Sequence, residues 1–324
     1  MDRSRLNSAA REAFGRDLTG AARLAGGSRK GVYRLTLDDA TTAIAYVWTA
    51  EENYWPAREG DGDPAEMFNA GVGLELYLAA QQRLASLGLR TPAIYLAGGD
   101  LAIVEDFPGE DLEDRLARDP AAAEPVMARL AEDLAAMRAY RAPAYGKVAF
   151  VDAGGRPNGG EVLAFGRRML REAAARDARI AAARERLSDK LLELAAAVQP
   201  RAEYSVVHGE LWGHVLIDGD ERPVMIDIED LMYFDVEWEH VFLGFRLGAD
   251  YHRLAVDGLD GDRVAFYTLV QRLSLTAGPL RLLEGDYPNR AFMQGIADWN
   301  GAQAIKLCSG PTARSGAGPR SPSG

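Results

Sequence analysis

The sequence predicts an α+β protein of two lobes, a small β-rich N-terminal lobe and a larger, mainly helical C-terminal lobe. Three observations carry this expectation. Runs rich in aliphatic, β-branched and aromatic residues crowd into the first hundred residues. Stretches with apolar residues at helical spacing fill most of the remainder. The change of pattern falls at Phe107-Pro108-Gly109. The expected divisions are 1–105 for the first lobe, 106–309 for the second, and 310–324 for a disordered Gly/Ser/Pro-rich tail.

In the first lobe, Val32 to Leu37 and Ala43 to Trp48 read as strands joined by the turn DDATT. Gly26, Gly27 and Gly31 surround Ser28, Arg29 and Lys30 just before the first of them. A helix is expected from Pro64 to Leu87, with Leu74, Leu78 and Leu84 on one side and Gly88 as its stop. Ile94 to Leu96 and Leu101 to Val104 form a second hairpin through Gly98-Gly99. In the second lobe, Pro125 is expected to open a helix whose apolar side includes Met127, Leu130, Leu134 and Met137. A helical stretch with a break covers Glu161 to Val198, and Pro200 ends it. Short strands follow at Ser205 to Val207, Val215 to Ile217 and Val224 to Ile228, and then further helices.

The 324 residues carry 37 basic and 48 acidic side chains, a formal net charge of −11. With 48% hydrophobic and 26% charged residues, the chain has the balance of a globular protein. No run reaches the ~18–20 apolar residues of a membrane span. The first residues lack the apolar core of a secretory signal, and the single Cys308 excludes an internal disulfide framework. A cytoplasmic protein without a membrane partner is expected. The acidity argues against a nucleic-acid partner and fits a cationic small substrate. The basic residues are nearly all arginine: the lysines are Lys30, Lys147, Lys190 and Lys306. All four histidines, His208, His214, His240 and His252, fall in one segment.

That segment, YSVVHGELWGHVLIDGDERPVMIDIEDLMYFDVEWEH, is the richest in chemistry. One strand runs into His208-Gly209-Glu210, and another ends in Ile226-Asp227. Two carboxylates at neighbouring strand ends can face one cleft, one accepting a proton and the other holding a divalent metal. Phosphoryl transfer needs that pairing, because the metal neutralises phosphate charge while a carboxylate orients the attacking hydroxyl.

Over roughly residues 15 to 300 the sequence resembles the aminoglycoside phosphotransferase-like small-molecule kinases, which share a two-lobed protein-kinase-like fold. GGSRKGVYRL is similar to their nucleotide-covering turn, IVEDFPGEDL to their hinge, HGELWGHVLID to their H-G-D-x-x-x-x-N loop, and VMIDIED to their metal-binding segment. FDVEWEHVFL resembles the segment that follows. The resemblance implies a catalytic base at Glu210 and a metal ligand at Asp227. Glu229, expected on the same side of the strand as Asp227, would assist the metal. The hinge backbone near Glu105, Asp106 and Phe107 would bind the nucleotide base. Asp235 and Glu239 would be structural, or near the acceptor.

Three positions depart from the family pattern. The base is a glutamate. The metal-binding asparagine is replaced by His214 one residue early, or is missing. The phosphate-gripping strand lysine is absent, and Trp48 stands nearest its place. Ser28, Arg29 and Lys30 in the glycine turn would reach the phosphates in its stead, or are solvated turn residues. Glu75 sits where the family helix carries its ion-pairing glutamate, or is a surface carboxylate. His208 is expected to be structural.

The implied activity transfers the γ-phosphoryl group of ATP or GTP, with Mg2+, to a hydroxyl of a small molecule. An antibiotic or similar natural product is the first expectation, with resistance as the consequence. The alternatives are a metabolic kinase of a sugar, a ketosamine or choline, and a catalytically silent kinase-like binding protein.

Overall fold

The computed structural model describes residues 3–56, 63, 65–155 and 161–308. A five-stranded antiparallel sheet is built from β1 (Leu18–Arg23), β2 (Gly31–Leu37), β3 (Thr42–Val47), β4 (Ile94–Gly98) and β5 (Leu101–Glu105), in the order β1-β2-β3-β5-β4. The period-2 alternation of β3 divides its side chains between two cores. Ala43, Ala45 and Val47 face Leu6 on helix α1 (Arg3–Phe14), together with Leu35 and Ile103. Ile44, Tyr46 and Trp48 face the other way, against Leu74 and Tyr77 of helix α2 (Leu74–Ser86). This second core continues into the helical lobe without a break.

The helical lobe begins with α3 (Leu112–Arg118) and α4 (Pro120–Ala139). A short strand β6 (Gly146–Lys147) leads into α5 (Val148–Asp152). The long helices α6 (Val162–Ala174) and α7 (Ala178–Ala197) follow. Then come β7 (Ser205–Val207), β8 (Val215–Ile217), β9 (Pro223–Met225) and β10 (Met232–Phe234). The strands pair as β6-β10-β7 and as β8-β9, all antiparallel. Helices α8 (Val236–Leu247), α9 (Gly261–Leu282) and α10 (Arg290–Leu307) complete the lobe.

Several elements differ from the sequence expectation. The helix expected from Pro64 starts at Leu74 instead, because residues 65–73 form turns ending in Gly73 at φ +124°. Pro64 itself lies outside the described residues. Pro125 does not open a helix. The Asp119 side chain caps α4 by accepting from Ala121 N (3.2 Å) and Ala122 N (3.1 Å), so Pro120 takes the first position and Pro125 lies within. The expected break in 161–198 is real, and Asp177 caps α7 there. The strand expected to reach Ile228 stops at Met225. Helix α1 and strands β1, β6 and β10 had no expected counterpart, and the tail 310–324 lies outside the described residues. No described helix is long and apolar enough to cross a membrane.

Candidate active site

Between the sheet and helices α6, α8, α9 and α10 lies a cavity of about 960 Å³. Three loops supply the polar groups at its sheet-side end. The first is the glycine turn before β2. Gly27 has φ +64°, and a Cβ there would stand 2.6 Å from Lys30 O, so only glycine closes this turn. The turn is tied down by Trp55, whose Nε1 donates to Ser28 Oγ (2.9 Å), and the Arg29 guanidinium lies 4.2 Å over the Trp55 ring. Lys30 is thereby aimed inward, only 6% exposed. Its Nζ donates to Asp227 Oδ1 (2.7 Å) and Glu229 Oε1 (2.5 Å) and lies 5.0 Å over the Tyr46 ring.

The second loop follows β7. Gly209 has φ +88°, a left-handed conformation suited to glycine. The buried Glu239 of α8 fixes the loop, its Oε2 accepting from His208 N (2.6 Å) and Gly209 N (2.8 Å). The His208 ring Nε2 lies 2.9 Å from Ile226 O, and its Nδ1 accepts from Glu210 N (3.4 Å). Burial pulls the His208 imidazole down to about 4. It is a neutral brace between the two acidic loops. Glu210 projects into the cavity. It keeps contact with the cavity solvent, yet protein surrounds it, and that burial pushes its carboxyl up to about 6. Asp230 and Asp227 push the same way against His214 and Arg29.

The third loop follows β9. Asp227, two residues past the end of β9, holds the left-handed φ of +57°, and it lines the cavity. Burial raises this carboxyl, but Lys30 and His214 more than offset it and leave Asp227 well below the usual range. Glu229 Oε1 is shared by Lys30 and by Trp48 Nε1 (3.0 Å), while its Oε2 is buried without a partner. Burial holds Glu229 above the ordinary value, with Lys30 opposing and Asp227 adding to the rise.

The structure therefore brings Ser28, Arg29, Lys30, Glu210, His214, Asp227 and Glu229 to one cavity. His214 Nδ1 lies 2.7 Å from Glu210 O, a carbonyl that can only accept. Nδ1 is thus the N–H, and in the neutral ring Nε2 carries the lone pair, 3.6 Å from Asp227 Oδ2. The hinge side chains are placed elsewhere. Glu105 is bound by Arg90 Nη2 (2.8 Å to each oxygen), Asp106 by Arg34 of β2 (2.8 and 3.0 Å), and Phe107 lies under Arg90. They line a separate hollow of about 550 Å³. Glu75 lies on the exposed face of α2, and no ion pair reaches it among the described residues. Tyr77 occupies the space beneath the strand instead, with its ring 5.5 Å from Tyr46 and 5.8 Å from Trp48.

Sequence reasoning passed over Lys147. It is 1% exposed, and its Nζ meets Asn69 O (2.5 Å) and Asp230 Oδ1 (3.1 Å). Asp230 also accepts from Gly71 N, so the turn 67–71 is fastened to the Asp227 loop. The scarcity of lysine was the available signal. A chain that meets nearly every other need for a cation with arginine keeps a compact ammonium where a planar guanidinium would not fit. Asp235 and Glu237 bind Arg201 (3.1 and 2.9 Å), and Asp235 also meets Arg263 (3.1 Å), so Asp235 is structural.

Among the described residues no group of three or more His, Cys, Asp or Glu side chains is placed to hold a metal by itself. Magnesium commonly takes one or two carboxylates and completes its shell with water and phosphate oxygens. The Asp227 Oδ2, which Lys30 leaves open, fits that mode of binding, whereas the His214 nitrogen 3.6 Å from it is a poorer ligand for this ion.

Residues 23–272 match the phosphotransferase enzyme family. Solved structures share the fold. An aminoglycoside phosphotransferase APH(4)-Ia variant in ternary complex with AMP-PNP and hygromycin B matches at 18% identity and TM-score 0.60, over 94% of this chain and 99% of that one. The spectinomycin phosphotransferase APH(9)-Ia with AMP matches at 13% and 0.61, over 97% and 100%. The choline kinase LicA from Streptococcus pneumoniae matches at 12% and 0.62, over 94% and 98%. No curated protein matches the chain.

Proposed function

The chain belongs to the phosphotransferase enzyme family, and from that premise we propose that it transfers the γ-phosphoryl group of ATP or GTP to a hydroxyl of an antibiotic or similar natural product. One observation carries the reading: Glu210, Asp227 and Lys30 wall the same cavity, from three different loops. Glu210 accepts the proton of the acceptor hydroxyl as its oxygen bonds to the γ-phosphorus. The bond from that phosphorus to the β,γ-bridging oxygen breaks, and the nucleoside diphosphate leaves. A carboxyl pushed up to about 6 suits this work near neutral pH, being deprotonated yet basic enough to take the proton. Lys30 and the glycine turn draw the phosphates in from above, and Glu229 with Trp48 holds Lys30 in place. Asp227, with His214 beside it, would hold Mg2+, which would supply charge neutralisation to the transferring phosphates.

The test is mass spectrometry of hydroxylated natural products incubated with the protein and each nucleotide. A gain of one phosphoryl group on an acceptor is expected. Glu210→Gln and Asp227→Asn should each lower turnover by on the order of 10²–10⁴-fold without unfolding the chain. Full activity in both variants would reject the assignment. The catalytically silent alternative predicts that neither nucleotide, with Mg2+, raises the melting temperature.

A further inference from the structure

The acidity of the whole chain suggested a cationic acceptor, and the charges inside the cavity point the other way. Each carboxylate in the wall can be assigned. Asp227 and Glu229 are bound by Lys30, and Asp230 by Lys147 and Gly71 N. Glu113 is gripped through both oxygens by Arg246 Nη2 (3.0 Å each), and Glu172 also has a partner. Glu210 is the proton acceptor of the reaction proposed above. The walls thus offer no row of unpaired carboxylates to a polyamine.

They offer a cation instead. Arg272 of α9 donates from Nη1 to Asn300 Oδ1 (2.7 Å) on α10, and its guanidinium lies 3.4 Å from the ring centroid of Phe245. No carboxylate lies within 4 Å of it among the described residues. The other arginines of the wall are engaged differently: Arg29 over the Trp55 ring (4.2 Å), Arg168 with Glu66 (3.1 Å), Arg246 with Glu113, and Arg281 with the Pro56 carbonyl (3.3 Å). Burial alone pulls the Arg272 guanidinium down to about 10, and no neighbouring anion offsets it. It remains charged at neutral pH and stands ready for an anion.

Several aromatic side chains line the same cavity. Phe165 stacks on Phe68 at 4.5 Å, and Trp238 lies 5.2 Å from Phe68. Phe292 and Trp299 of α10 stand at the rim, 52% and 63% exposed. Both also line the cavity. Exposed aromatics grouped around a concave site favour an apolar, flat ligand over a sugar ringed with ammonium groups.

We propose that this cavity takes an aromatic alcohol bearing a carboxylate, with the rings against the Phe/Trp wall, the carboxylate on Arg272 and the hydroxyl toward Glu210. The placement of the hydroxyl rests on the phosphotransfer reading above. The aromatic and anionic character rests on Phe68, Phe165, Trp238 and Arg272, and it can be tested without catalysis.

The experiment is titration calorimetry of the full chain, without nucleotide, against four probes. These are 6-(hydroxymethyl)-2-naphthoate, its methyl ester, the analogue with an aminomethyl group in place of the carboxylate, and hygromycin B. The naphthoate should bind about 10-fold or more tightly than the ester, as a charge-assisted contact to arginine requires. The amine and hygromycin B should bind more weakly still. Arg272→Gln should erase the preference for the acid and leave the ester unchanged. Should that variant fail to fold, the order of the four probes on the natural chain decides alone. Equal binding of acid and ester, tighter binding of the amine or hygromycin B, or no binding of the naphthoate overturns the proposal. Naphthoate that binds through Arg272 but gains no phosphoryl group from ATP or GTP upholds this inference and counts against the proposed reaction instead.

Discussion

Lys30 offers the sharpest test of how this site is held together. It is buried and makes two contacts below 3 Å, to Asp227 and Glu229. Replacement by methionine fills most of the same volume and removes the charge. Two carboxylates then face each other with no cation between them. Removing one partner of a buried ion pair costs about 3–5 kcal/mol. Asp227 has a side chain 45% exposed, so solvent screens its share, whereas Glu229 at 6% carries nearly its full penalty. The expected loss is therefore near the low end, about 3 kcal/mol. For a chain of this size that is a fall of roughly 4 °C in melting temperature.

The magnitude alone would not separate a lost ion pair from a general packing defect, and a second substitution does. Lys30→Met with Glu229→Gln removes both charges and leaves an amide that Trp48 Nε1 can still reach. Most of the lost stability should return, to within about 1 kcal/mol of the natural chain. Activity should not return, because no ammonium faces the phosphates. The assays are urea unfolding of the four members of the cycle, and kcat/KM for the nucleotide. Lys30→Met should be less stable than the double variant, and Glu229→Gln, in which Lys30 keeps Asp227, should not. A Lys30→Met chain within about 0.5 kcal/mol of the natural one, the usual range of a surface change, would refute the claim that this ion pair organises the site. So would a double variant that recovers turnover.

Two further outcomes follow from the same kind of reasoning. Burial, with Glu132 adjacent, pushes the Asp133 carboxyl on α4 up to about 6. The folded chain then binds this proton more tightly than the unfolded chain, so its contribution is fully present below pH ~4 and lost as pH rises through about 6. Asp133→Asn should therefore stabilise the protein by about 1–2 kcal/mol at pH 7 and by almost nothing at pH 4, read by chemical unfolding at both. Glu239→Ala should leave two buried N–H groups, of His208 and Gly209, without an acceptor, at a cost of about 1–3 kcal/mol each. It should lower kcat more than it raises KM for nucleotide, because the Glu210 loop loses its anchor while Lys30 and Asp227 keep theirs. A change confined to KM would show that the loop holds its shape unaided.

The two-lobed α+β architecture was legible because helix and strand periods differ, and because Gly and Pro mark the joints. The hairpins at 32–48 and 94–104 and the break in 161–198 follow from local signals of that kind. The missing pieces lack them. β1 alternates poorly, with two alanines and a glycine among its six residues, and is held by pairing with β2. β6 and β10 are two and three residues long and exist only as partners to each other and to β7. The start of α4 was misplaced because two prolines compete for the same position, and the Asp119 cap decides between them. Such features depend on neighbours distant in the chain, which no local window records.

The site shows the same division more sharply. Glu210, Asp227 and His214 were legible because they lie within eighteen residues of one another in a recognisable segment, although His214 falls one residue short of the family spacing. Their partners were not, because they come from far along the chain. Lys30 meets Glu229 across 199 residues, and Trp48 meets it across 181. The strand carries no lysine, and the glycine turn instead brings Lys30 to Asp227 and Glu229. Tyr46, Trp48 and Tyr77 then fill the volume that a strand lysine and its helix glutamate would have needed, and Glu75 faces solvent. These changes form one set. An aromatic cluster at that depth cannot solvate an ammonium arriving along the strand, whereas its rings can still receive one over a face, as Tyr46 receives Lys30 at 5.0 Å. Restoring a lysine at Trp48 would therefore place two buried cations against the same two carboxylates and remove the indole N–H that steadies Glu229. Trp48→Lys should lower both stability and turnover rather than improve them, and a variant with turnover above that of the natural chain would show that the turn lysine is a poor substitute and not a rebuilt site.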